Sequence, residues 1–210
     1  MNIIIRSKSR LLAAPFVGTE FFIELPEGQT RWSIYHVTTA GEMTVDWGDG
    51  QTEVVEGNSI PLSHEYAVSG SYRVRFSDAM NLLTMGTTDE YKELYNPCLR
   101  RFVTNAQNYH SLGIFAFSGC VNLESFDISG SGVYIMNNYC FKGCSGLKGD
   151  VYLPGITSCQ FTTSSPFSGC TGGITSIHFT KVLEERVTQS AVYQADPTLG
   201  TGTAVCVFDL

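Results

Sequence analysis

Two rhythms of hydrophobic and polar positions divide the chain. From residue 1 to about residue 78 the two kinds alternate: FFIEL (21–25), RWSIYHV (31–37), EMTVDW (42–47), TEVV (52–55) and SYRVRF (71–76). Period two sends successive side chains to opposite faces of a strand, one dry and one wet. Glycine, proline and asparagine punctuate these runs at PEGQ, TAGE, GDGQ, EGN and VSGS. Short alternating strands at close turn spacing predict an antiparallel β-sandwich.

From about residue 98 the period lengthens. AFSGCVNL (116–123), CFKGCSGL (140–147) and PFSGCTGGI (166–174) are copies of one unit, with Phe117, Phe141 and Phe167 spaced by 24 and 26 residues. Cys120, Cys144 and Cys170 keep the same spacings. A strand-like run follows each copy (ESFDIS, GDVYLP, TSIHF), and an earlier one, LRRFVT, begins at Leu99, 24 residues before Leu123. One such unit cannot bury its apolar side alone, so neighbours must stack. Three interior ladders are predicted: the phenylalanines, the cysteines, and Leu123 with Leu147 and Ile174.

The segments outside the two rhythms are shorter. Over residues 77–97, Thr88 or Asp89 is placed to cap a short helix through Tyr95, stopped by Pro97. NLLTMG (81–86) reads as a degenerate first strand of the repeat stack, and the boundary is expected near residue 79. ERVTQSAVYQADP (185–197) reads as a short helix and GTAVCVFDL (202–210) as a final strand, together closing the end of the stack.

Two resemblances follow from these motifs. WGDG (47–50) with HEYAVSGSYRV (64–74) resembles the PKD-type immunoglobulin-like domain over roughly residues 20–78, matched at Trp47, Gly48, Asp49, Gly50, His64, Tyr66, Gly70, Tyr72 and Val74. Ser69 departs from it, standing where that family often has proline. The AF-x-x-C-x-x-L unit with its following strand resembles the BspA-like, or type-5, leucine-rich repeat over roughly residues 98–180. Its third copy is about two residues longer and carries Pro166 in place of a small residue. The expected architecture is mainly β: an N-terminal immunoglobulin-like (PKD-type) sandwich over 1–78, then a short leucine-rich-repeat β-solenoid with a C-terminal cap over 79–210. Both resemblances imply a bacterial cell-surface or secreted adhesion protein.

The chemistry-bearing residues read as structural. Asp46 and Asp49 are placed to accept backbone N–H groups inside the WGDG turn, and a calcium site would need more oxygen ligands. Seven cysteines are an odd number for a disulfide framework. Stacked strands lie about 4.8 Å apart, whereas a disulfide wants converging Cβ atoms about 3.8 Å apart. The laddered thiols are therefore expected as buried hydrophobes. Cys140 and Cys144 lack a second ligand pair at zinc spacing. His36, His64, His110 and His178 are scattered, and no hydrolase, metalloprotease or phosphate-loop motif is present. No enzyme activity and no cofactor is expected.

Charge and hydropathy narrow the partners. With 13 basic against 20 acidic residues the net charge is −7, and the only basic cluster is RSKSR (6–10), so no nucleic-acid partner is expected. No apolar run reaches the roughly 20 residues that span a bilayer. LLAAPFVG (11–18) is short and broken by Pro15, and is not expected to be a cleaved signal.

Aligning the repeat strands gives an outward column of Val103, Asp127, Tyr152 and His178, with Arg101, Ser125, Asp150 and Ser176 beside it. The shorter strand before each F-x-G-C contributes His110, Tyr134 and Thr157. The candidate binding face is therefore Asp127, Tyr152, His178, Tyr134, His110 and Asp150, presented to protein, matrix or glycan on a host or neighbouring cell. An ordinary solvated sheet face fits the same residues. Two other classes fit the same scaffold: a phage or prophage tail-associated binding protein, and a carbohydrate-binding accessory module.

Overall fold

The computed structural model describes residues 16–85, 96–160, 166–183 and 205–209. The helices expected before Pro97 and before the last strand, the extra length of the third repeat copy and the N-terminal basic run lie outside them.

The alternating half forms β1 (Gly18–Leu25), β2 (Arg31–Thr39), β3 (Met43–Asp46), β4 (Thr52–Val55), β5 (Ile60–Glu65), β6 (Gly70–Ser77) and β7 (Met80–Thr84). All their pairings are antiparallel. One sheet runs β1-β6-β3-β4 and the other β5-β2-β7. Their apolar faces meet through Phe21 of β1 and Trp32 of β2, whose ring centroids are 5.7 Å apart. The expected division at residue 79 falls between β6 and β7. β7 nevertheless turns back and pairs with β2, so residues 80–84 supply a strand of the antiparallel half and not the first strand of the repeats. Met80 and Leu83 are fully buried there, and that burial outweighs the repeat-like sequence of the segment.

The repeat half forms β8 (Leu99–Thr104), β9 (Ser111–Leu112), β10 (Ser125–Asp127), β11 (Ile135–Asn137), β12 (Gly149–Leu153), β13 (Ser158–Gln160), β14 (Ile174–Phe179) and β15 (Val205–Phe208), with a 3-10 turn at Lys181–Leu183. Its strands pair in parallel: β8 with β10, β9 with β11 with β13, and β12 with β14 with β15. This is a β-solenoid pattern, in which each coil adds one rung to each of two faces.

The predicted ladders form the solenoid interior. Phe117, Phe141 and Phe167 are fully buried and stack at 5.3 and 5.0 Å, each pair only 9° from parallel. Cys120, Cys144, Leu123 and Leu147 are also buried, with Cys170 and Ile174 nearly so. The Cys144 thiol donates to the Phe117 carbonyl and that of Cys170 to the Phe141 carbonyl, both at 3.1 Å, so each reaches back to the coil before it. Gly119, Gly143 and Gly169 sit at φ of 74°, 74° and 73°. That left-handed turn explains the invariant glycine within the repeat unit.

The two halves share a sheet. β8, the first repeat strand, also pairs antiparallel with β1, giving the continuous order β10-β8-β1-β6-β3-β4. Leu99 and Phe102 face the same interior as Phe21. Seven rings run in unbroken contact from one half to the other: Trp47, Trp32, Phe21, Phe102, Phe117, Phe141 and Phe167, at successive centroid distances of 6.3, 5.7, 5.3, 4.7, 5.3 and 5.0 Å. Asn96 pins the joint. Its Oδ1 accepts from Trp32 Nε1 at 2.9 Å, its Nδ2 donates to the Ser33 carbonyl, and its backbone N–H donates to the Gly119 carbonyl.

Candidate functional site

The WGDG turn is built as a packing device. Asp46 Oδ1 accepts the Gly48 N–H at 2.9 Å, and Asp49 Oδ1 accepts the Gln51 N–H at 3.0 Å. His64 Nε2 lies 2.8 Å from Asp49 Oδ2, and its ring stacks on Trp47 at 4.7 Å, 7° from parallel. Tyr66 donates from its hydroxyl to the Trp47 carbonyl. Burial pushes the Asp49 carboxyl up. The hydrogen bond from His64, the Gln51 N–H and the His64 charge outweigh that, leaving the group below its ordinary value. Both aspartates, His64 and Tyr66 are thus used in holding the turn.

The outward column forms, in two pieces. Asp127 lies opposite Val103 and Ser125 opposite Arg101 on the β8–β10 pair. Tyr152 lies opposite His178 and Asp150 opposite Ser176 on β12–β14, which β15 extends by placing Val207 opposite His178. β10 and β12 belong to different sheets, so the column is interrupted between them. His110 and Tyr134 belong to another sheet altogether, immediately before β9 and β11, with ring centroids 5.9 Å apart. The six candidate residues are therefore distributed over three sheets: Asp127 on β10, Asp150, Tyr152 and His178 on β12–β14, and His110 and Tyr134 beside β9 and β11.

The densest polar cluster is on β14 and its neighbours. Tyr152 is half exposed and stacks on the His178 ring at 4.4 Å, 17° from parallel. His178 Nδ1 lies 2.9 and 3.1 Å from the two Asp209 carboxylate oxygens, and its Nε2 lies 2.8 Å from Ser176 Oγ. Ser176 and Thr175 both donate to Asp150 Oδ1, at 2.6 and 2.8 Å. Those two hydroxyls hold the Asp150 carboxyl below its ordinary value, assisted by the His178 charge.

Ser176, His178 and Asp209 thus follow the hydrogen-bond order of a nucleophile, base and orienting carboxylate. The hydroxyl proton of Ser176, however, goes to Asp150 and not to the imidazole. The cluster ties β12, β14 and the residue after β15 together and offers a planar, acidic outer surface.

Sequence reasoning did not foresee Asp209, whose link to His178 spans 31 residues and part of a segment with no repeat pattern. It also missed Phe115 and Tyr139, equivalent positions 24 apart that share φ of 60° and 56° and stack at 5.1 Å. That recurrence was visible as an aromatic two residues before each of the first two ladder phenylalanines.

The remaining thiols carry no reactive signature. All seven cysteines are free. Burial raises those of Cys120, Cys140 and Cys144 well above the ordinary thiol value, and pushes those of Cys159 and Cys170 to about 12 and that of Cys206 to about 11. Such thiols are protonated at neutral pH and poor nucleophiles. Among the described residues no group of three or more His, Cys, Asp or Glu is arranged to hold a metal ion, and no helix is long and apolar enough to cross a membrane.

Parallel coils, stacked phenylalanines and laddered cysteines define a leucine-rich-repeat β-solenoid. The profile of the BspA type leucine rich repeat region matches residues 90–195, in six copies. The chain belongs to that family, whose repeats often serve surface adhesion and protein binding. No curated protein and no solved structure matches the chain.

Proposed function

We propose that this protein is a non-enzymatic adhesion module that recognises a protein surface on a host or neighbouring cell through the outer face of β12 and β14. The half-exposed Tyr152 ring carries this reading, because His178 holds it from below and acidic groups flank it. A pre-stacked tyrosine loses little side-chain freedom on binding, and planar rings are enriched at recognition hot spots. With Asp150 and Asp209 beside it, the face suits a partner presenting arginine, whose guanidinium stacks on rings and bridges carboxylates. In this reading the antiparallel half is a PKD-like sandwich that supports the repeats, and the protein acts at a bacterial cell surface or outside the cell.

The test is binding of the full chain to a panel of extracellular-matrix and cell-surface proteins by biolayer interferometry. Tyr152→Ala should weaken a captured partner about tenfold, the order of 1.4 kcal/mol, while leaving the melting temperature unchanged. His178 is the poorer residue to remove, because it also anchors Asp209. Absence of any partner for the wild type, or equal affinity of the variant, rejects the proposal.

A further inference from the structure

A second surface lies where the two halves meet. Tyr35, His36, Leu82, Thr84, Ser111, Gly113, Ile114 and Asn137 line a groove of about 430 Å³, within the range of small-molecule sites. A β-bulge makes it. The β2–β5 register shifts between Ile34 and Val37, so the alternation of β2 breaks and both Tyr35 and His36 stay unburied between the buried Ile34 and Val37. Bulges of this kind re-aim side chains beside functional sites. The Tyr35 ring is 40% exposed, and across the groove Ile114 is 51% exposed. Gly113 allows the close approach that forms the floor, since a Cβ there would lie 2.7 Å from Leu82 Cδ1.

The lining combines apolar surface from Leu82, Ile114 and the Tyr35 ring with neutral polar groups, and carries no Asp, Glu, Lys or Arg. Burial lowers the pKa of His36, which favours the neutral imidazole. The Tyr35 hydroxyl, the His36 ring and the Thr84 hydroxyl make no side-chain hydrogen bond among the described residues. Ser111 Oγ accepts from Asn137 Nδ2 at 2.8 Å and keeps its own proton to give, while Asn137 Oδ1 remains an acceptor. The groove therefore pairs one exposed aromatic face with several unspent neutral donors and acceptors.

From this combination we propose that the groove between β2–β7 and β9–β11 is a binding site for a neutral saccharide. A sugar ring has an apolar C–H face for Tyr35 and a rim of hydroxyls for Thr84, Ser111, Asn137 and His36. An anionic or cationic ligand would find no counter-charge in the lining. The site is separate from the Tyr152 face, so one molecule would engage both a protein and a glycan.

The experiment is a screen of the full chain on an array of neutral and acidic oligosaccharides, with calorimetry on the best neutral disaccharide. Neutral sugars are expected to bind. Tyr35→Ala should weaken that binding about tenfold, while Tyr35→Phe retains most of it and Tyr152→Ala leaves it unchanged. Because Tyr35 is exposed, its removal should not unfold the protein, and an unchanged melting temperature checks this. No neutral sugar bound at millimolar concentration, selective binding of sialylated or sulfated sugars, or equal affinity of Tyr35→Ala would each overturn the assignment. Loss of protein-partner binding in Tyr152→Ala with sugar binding intact separates this proposal from the preceding one.

Discussion

Two residues carry predictions of opposite sign. Tyr109 is fully buried, and its hydroxyl has no hydrogen-bond partner among the described residues. An unsatisfied buried hydroxyl costs roughly 1–3 kcal/mol, so Tyr109→Phe should leave stability unchanged or raise it by about 1 kcal/mol in urea unfolding. A loss of that size would show that the hydroxyl is satisfied. Asp49 is the reverse case. Its carboxyl is held below 3.8 in the folded protein, so its stabilisation is present above that value and fades as pH falls through the depressed one. The melting-temperature gap between the wild type and Asp49→Asn should therefore be open at neutral pH and close below about pH 4. A gap of constant size from pH 3 to pH 7 would mean that charge plays no part in the turn. The sequence displayed the role of Asp49, because turn and partner lie within 15 residues of each other. It concealed that of Asp209, because that contact depends on where a distant strand docks.

At the scale of elements, the repeat coil is the unit of stability. Each coil places one phenylalanine between two others, so Phe141 touches both Phe117 and Phe167. Phe141→Ala removes a ring from the middle of the stack and should cost about 3–5 kcal/mol, as for other buried aromatics, read from the urea midpoint at constant m-value. A cost below 1 kcal/mol would mean that neighbouring coils collapse into the space. Close approach also constrains the coil's turns: a Cβ on Gly172 would collide with the Ser145 carbonyl of the preceding coil. The ladders were legible because a solenoid repeats its contacts at fixed sequence separation. The split of the candidate face over three sheets was not, since the same periodicity describes residues on either face of a coil.

At the scale of the molecule, the shared β8 and the seven-ring chain make the halves thermodynamically dependent. A solenoid needs its open ends covered, and here β1 covers one by pairing with β8. The two rhythms should therefore melt together. Calorimetry of the full chain is expected to give a single transition with equal calorimetric and van't Hoff enthalpies. Phe102→Ala, at the crossing point of the ring chain, should lower that one transition without splitting it. Two resolved transitions in the wild type would show that the halves unfold independently. A chain lacking residues 1–78 would bare Phe102 and the edge of β8, and is expected to aggregate.

The sequence by itself determined the elements whose causes are local or periodic: the alternating strands, the WGDG turn, the glycine of each coil and the three interior ladders. In each case the interacting residues lie within one turn, or at a constant spacing that a single chain displays. Only the tertiary structure decided that residues 80–84 join the first half, that β8 serves both halves, and that Tyr35 and His36 open onto a groove. Those outcomes follow from which apolar faces and strand edges remained to be covered once the local elements had formed. That competition is among distant segments, and no spacing within the sequence records its result.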